Sequence, residues 1–244
     1  MQTAIQLMSA RRLRRALLSA LLCAAPALAL AQGVVQHLSG TLSAQRADGS
    51  IRLLSEKSQI QPGEVLATER DSYAQLRFPD GGRITMRPNS QVKLDSYRFS
   101  EKEPQRDSFV MSLLRGGFRA ITGLIGKRKR EAYKIQTATA TVGIRGTTFS
   151  TIDVPRPPEG RAPDPDAPPP GVYVIVTDGV VAFMSGNVAQ DVAAGQTAVS
   201  TDFNLPPRLI PTPPNLPVIA PPASFTELGS STINAGSSME CTIE

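Results

Sequence analysis

Four consecutive cations, Lys127-Arg128-Lys129-Arg130, form a compact basic run between Gly126 and Glu131. Such a run can meet an acidic protein face, an acidic glycan or a lipopolysaccharide, or it can be the solvated tip of a hairpin. Gly143-Ile144-Arg145-Gly146-Thr147 invites comparison with a phosphate-binding loop. That chemistry needs a glycine-rich loop feeding a helix N-terminus, usually with a lysine. Here the run lies between β-like segments, so its glycines fit a bulge or a close strand approach. Arg145, between the two glycines, reads as a hub for buried hydrogen bonds. Asp48, Asp80 and Asp178 each precede a glycine. Paired carboxylates could serve a glycosidase or a calcium site, but Asp-Gly is also what a tight turn requires. His37 is the only histidine, which argues against most metalloenzymes and against a triad built on imidazole. His-Glu-x-x-His, Cys-x-x-Cys and Gly-x-Ser-x-Gly are all missing. No catalytic residue, cofactor or metal ligand is assigned, and the expectation is a chain that is not an enzyme.

The N-terminus sets the compartment. Arg11, Arg12, Arg14 and Arg15 precede an apolar run from Ala16 that ends in Ala29-Leu30-Ala31. A positive stretch, a short apolar stretch and a small-x-small exit describe a secretory signal peptide over 1–31, cleaved near Ala31. The apolar run is shorter than the ~20 residues a spanning helix needs. Removing it leaves 22 Lys and Arg against 21 Asp and Glu, so the basic balance belongs largely to the signal and gives no support to a nucleic-acid partner. The expected location is periplasmic or secreted. The remaining cysteine, Cys241, has no internal disulfide partner after cleavage.

The elements that would carry these residues are strands. Ala74, Leu76 and Phe78 alternate with polar residues, Asp80-Gly81-Gly82 turns, and Ile84 and Met86 alternate again. Alternation, Asp-Gly and renewed alternation is a strong hairpin signal. Pro88-Asn89-Ser90 turns once more before Val92 and Leu94. Strands also read over Phe109–Leu114, from Tyr133, over the β-branched run Val172–Val176, and from Val180 after Asp178-Gly179. About a dozen short strands at this spacing predict an all-β sandwich or barrel with few helices. Two stretches break the pattern. Residues 155–170 hold eight of the 21 prolines and should form an exposed insertion. Residues 204–244 begin proline-rich and end in Ser, Thr, Gly and Asn, a composition that cannot bury enough apolar surface to order itself alone. The β domain is therefore placed at 33–203, with a disordered tail after it.

Several of these turns, taken in order, resemble the FecR domain family. Gly33-Val34-Val35 with Leu38-Ser39-Gly40 is similar to its opening strand, and Leu66-Ala67-Thr68 with Ser72-Tyr73-Ala74 to the following segment. The resemblance continues through Asp80-Gly81, Asn89-Ser90 and Leu114-Arg115-Gly116-Gly117. It is fullest over Thr137–Phe149, which holds Gly143, Arg145, Gly146 and Thr147, and it closes with Asp178-Gly179 and Ala194-Gly195-Gln196. It covers about 33–200. The resemblance implies a jelly-roll-like β-sandwich in which these motif residues are structural. Founding members of the family join an anti-sigma segment, one membrane helix and this domain, which listens to an outer-membrane receptor. This sequence resembles instead the stand-alone secreted members. The function expected is a non-enzymatic protein-protein interaction or sensing module of the envelope, with an unidentified envelope protein as partner. Lys127, Arg128, Lys129 and Arg130 are the candidate contact. The alternative is a carbohydrate or cell-wall binding module with a glycan or lipopolysaccharide partner, against which stand the absence of Trp and the count of only four Tyr.

Overall fold

The computed structural model describes residues 33–144, 146–160, 164–217, 219 and 222–227. The expected signal segment, Arg145 and Cys241 lie outside the described residues. The first strands are β1 (Gly33–Ser39), β2 (Leu42–Gln45), β3 (Ile51–Leu54), β4 (Gln59–Ile60), β5 (Val65–Thr68) and β6 (Tyr73–Arg77). The middle of the chain gives β7 (Arg83–Met86), β8 (Gln91–Arg98), β9 (Ser108–Arg115), β10 (Gly117–Ile121), β11 (Tyr133–Gln136) and β12 (Thr141–Ile144). The last are β13 (Thr148–Val154), β14 (Gly171–Asp178), β15 (Val180–Ser185), β16 (Val188–Ala193), β17 (Thr197–Ser200) and β18 (Arg208–Ile210). Two short helices join them, α1 (Leu124–Arg128) and α2 (Ser224–Glu227).

The strands make two nine-stranded sheets. The first runs β18-β17-β14-β13-β10-β7-β6-β1-β4, and the second β16-β15-β12-β11-β9-β8-β5-β2-β3. The period-2 patterns decide which side chains enter. In β6, Ala74 and Leu76 are buried while Gln75 and Arg77 point away. A slip of one residue would reverse every such choice. One continuous core draws on both sheets, and Leu66, Leu76, Phe109, Phe149 and Phe183 are fully buried in it. Each contributes about 1.5–3 kcal/mol by leaving water.

The all-β sandwich expected from the sequence is therefore present. Its likeness to a jelly roll extends to the two-layer packing. The strand order is a relay: β6–β7 joins the first sheet, β8–β9 the second, β13–β14 the first and β15–β16 the second. Among the described residues all pairings are antiparallel except β9 with β11, which is parallel. Tight turns close pairs such as β6–β7 and β15–β16, but other joins reach across the chain: β1 pairs with β6, β7 with β10 and β12 with β15.

The proline-rich segments behave differently from each other. The described residues of the insertion between β13 and β14 are mostly exposed. The expectation of a disordered tail from 204 needs correction over part of its length. β18 pairs antiparallel with β17, and Leu216 and Ile219 are each 3% exposed. They complete a second apolar cluster with Ile152, Tyr173 and Val199. The physical reason is that this segment does not order itself alone. It borrows an apolar surface that the first sheet turns outward.

Candidate interaction surface

The basic run sits on and just after α1, in the connection from β10 to β11. The sequence suggested a hairpin tip; the chain instead makes one short helical turn. A helix this short does not hold itself. What holds it is Asp80, in the β6–β7 turn. Asp80 is 3% exposed. Its Oδ2 accepts the Ile125 N–H at 3.3 Å, and its main-chain carbonyl accepts the Leu124 N–H at 2.9 Å. Asp80 thus satisfies two of the free donors at the start of α1, the service a capping residue normally provides from the adjacent position. The adjacent position is Gly123, with no side chain to offer. A Cβ there would collide with the Asp80 carboxylate, so glycine leaves the space the distant cap fills.

The carboxylate has further partners. Its Oδ1 accepts the Gly82 N–H at 3.2 Å and the Tyr97 hydroxyl at 3.3 Å. The same hydroxyl accepts the Asp80 N–H at 3.0 Å. Burial pushes the Asp80 carboxyl above its ordinary pKa, and the bonds from Gly82, Ile125 and Tyr97 only partly counter it. Burial and the nearby carboxylate also push the Tyr97 hydroxyl up, so it remains a donor. Tyr97 belongs to an aromatic group. Phe78 lies 5.2 Å from it, Phe109 lies 5.0 Å from Phe78, and Tyr133 stacks on Phe109 at 4.4 Å. The far side of α1 is closed by Ile144, against which Gly126 lies so closely that a Cβ would collide.

On this base the cations face out. Lys127, Arg128 and Arg130 are exposed and Lys129 is half-buried. Lys127 and Arg128 fall in the last turn, where free carbonyls favour positive charge. Two of the four are steadied within the chain. The Arg128 guanidinium lies 5.9 Å from the centre of the Phe99 ring, and Lys129 Nζ donates to the Gln105 carbonyl at 2.8 Å. Among the described residues none of the four is in an ion pair.

The other motif residues hold turns together. Asn89 takes a left-handed φ of 54°. Beside it, the fully buried Ser90 donates to the Gly117 carbonyl and accepts the Gly117 N–H, both at 2.9 Å. Thr68 Oγ1 accepts the Ser90 N–H at 3.1 Å and donates to the Arg87 carbonyl at 2.6 Å. Thr147 is buried, and its N–H donates to Thr122 Oγ1 at 2.9 Å. The turns holding Gly146 and Gly179 pack together, and a Cβ on Gly179 would meet the Gly146 carbonyl. Gly143 lies within β12, and the next described element after it is the strand β13, so the motif does not feed a helix N-terminus that could hold a phosphate. Gly195 closes the β16–β17 turn through its N–H to the Val176 carbonyl at 2.8 Å. The exposed Asp178 lies opposite Thr148, and Gly81 carries a φ of 83° in the hairpin turn.

His37 lies on β1, 3.9 Å from Glu56 and beside the Phe225 ring. Among the described residues no group of His, Cys, Asp or Glu could hold a metal ion. No helix among them is long and apolar enough to cross a membrane. Two polar centres escaped the sequence reading. Asp80 looked like a turn residue only, and its partner Ile125 lies 45 positions on. Glu64 also looked like part of a turn, yet it is 3% exposed and accepts Arg52 Nη2 at 3.0 and 3.1 Å.

Residues 64–182 match the model of the FecR protein family. No curated protein matches the sequence. Two crystal structures of a candidate anti-sigma factor from Parabacteroides distasonis align with TM-scores of 0.41, at 12% and 11% identity. Each alignment covers 60% of this chain and 58% of that one, so the match spans less than two thirds of that protein's length.

Proposed function

We propose that this chain, which carries a FecR domain over residues 64–182, is a regulatory or sensing module of the bacterial envelope. In this reading it is exported, non-enzymatic, and acts by binding another envelope protein through an acidic face. The contact is the cationic end of α1. One observation carries the assignment of the surface: four adjacent cations, none in an ion pair among the described residues, project from a turn pinned to the core by a buried carboxylate. A solvated charge run needs no such anchor. Fixed cations lose less freedom on meeting a partner than cations on a mobile loop, and they steer an acidic partner over about a Debye length.

The test is crosslinking in the native envelope with the tagged chain, compared with the chain carrying Lys127→Glu and Arg130→Glu. Exposed substitutions of this kind shift stability by no more than about 0.5 kcal/mol, so folding should be unchanged. Crosslinks to one envelope protein should fall at least tenfold. Crosslinks that persist in the double variant would remove the α1 contact. Retention on purified cell wall or lipopolysaccharide, without a protein crosslink, would replace the protein reading by the glycan one.

A further inference from the structure

We propose that the outer face of the first sheet, over β13, β14 and β17, is a binding surface for a proline-rich chain that makes one tight turn. It is filled in cis by the segment that carries Thr212, Asn215, Leu216 and Ile219, and is open in exchange to a similar segment of a partner. This surface is separate from α1 and does not depend on the reading given to it.

The floor is a cross-strand row. Ile152 lies opposite Tyr173, and Tyr173 opposite Val199. Their neighbours Phe149, Val172, Val174 and Ala198 enter the main core, so this row points the other way. An outward row on a surface sheet is normally polar. This one is apolar, and its members are 0%, 1% and 6% exposed because Leu216 and Ile219 cover them.

The occupant has a definite chemistry. Residues 211–217 read Pro-Thr-Pro-Pro-Asn-Leu-Pro. Proline fixes φ near −65° and restricts the chain before it binds, so little order is lost on docking, and a tight turn from Pro213 to Leu216 sets its path. Laying such a chain over an aromatic and aliphatic floor is a recurring recognition mode. Side chains fix its position: Thr212 Oγ1 lies 2.6 Å from Thr197 Oγ1, and the Asn215 side-chain amide donates to the Asp166 carbonyl of the insertion. Among the described residues no main-chain hydrogen bond joins 211–219 to the sheet; the one such bond there, Leu216 N–H to the Pro213 carbonyl, is internal. A strand in a ladder cannot leave without breaking a row of bonds. This segment can leave by giving up side-chain contacts alone, and another chain of the same kind can take its place.

The test uses a fluorescein-labelled peptide with the sequence of residues 211–222 and the full chain. Anisotropy titrations compare the parent with the L216D/I219D chain, whose own segment can no longer seat. Removing an intramolecular competitor should tighten peptide binding at least tenfold. Adding Ile175→Asp, on β14 and packed against the same apolar cluster, should abolish it. Equal or absent binding to the parent and to a folded double variant overturns the proposal. Should the double variant not fold, the parent decides. Excess peptide must speed amide exchange over 212–219, and a peptide with Leu and Ile replaced by Ser must not. Unchanged exchange, or acceleration by both peptides, overturns it equally.

Discussion

Two added segments lie on the sandwich, and they are held by different means. α1 is held by directional polar bonds: one buried carboxylate and one carbonyl take its first donors. The proline-rich segment is held mainly by apolar contact with two side-chain hydrogen bonds, and with no main-chain bond to the sheet among the described residues. The first kind of attachment fixes an orientation. The second fixes a position and tolerates exchange. A buried polar anchor is also costly to damage, because breaking it leaves donors without partners, whereas a strap over a small satellite core can lift while the main core stays intact.

The sharpest way to break this contrast is Asp80→Ala. It strands the Ile125 and Gly82 N–H groups and should lower stability by about 2–4 kcal/mol, read as a shift in the urea midpoint. Cutting the strap should cost less and act locally. Leu216→Ala with Ile219→Ala should lower global stability by about 1–2 kcal/mol, less than for the same change in a deep core, while amide exchange over 212–219 rises far more than in β6 or β9.

pH separates the two regions further. The Asp80 carboxyl titrates above its ordinary value of 3.8 in the folded chain. Its protonated form is therefore favoured by folding. Its contribution is fully present below 3.8 and is lost as pH rises through the folded pKa. In urea titrations, the parent should lose stability relative to Asp80→Asn across that window, and the strap contacts should show no matching change. The smallest effect expected is at Arg128, where replacing Phe99 by Leu removes a ring contact worth about 0.5–1 kcal/mol. It should loosen the side chain, seen as faster Nε relaxation, with the fold unchanged.

Much of this was legible before folding. The alternation of Ala74, Leu76, Ile84 and Met86 placed a hairpin that the structure contains, with Ala74 opposite Met86 and Leu76 opposite Ile84. The role of Asp80 was not legible, because a turn aspartate and a distant cap look alike in sequence and only the approach of Gly123 distinguishes them. The basic run was visible, but its helix was not, since nothing local caps it. The fate of the tail had a signal that composition concealed. Val172–Val176 is apolar at every position, and a strand of that kind is buried on both faces. Something had to cover the outer face of β14, and the proline-rich tail does so.

The relay of hairpins has a consequence for how the molecule comes into being. Strands β8, β10, β13, β15 and β17 each pair with a strand laid down earlier, so a growing chain adds to existing edges. Yet joins such as β7 with β10 and β12 with β15 close only after the intervening strands are made. The union of β9 and β11 is the one parallel pairing among the described residues. Here the chain must leave one sheet, lay down β10 in the other and return through α1 before the two strands can meet. Non-local joins of this kind make assembly slower than for a chain of simple hairpins, and α1, capped by Asp80, lies in the connection that must be laid before β11 can reach β9.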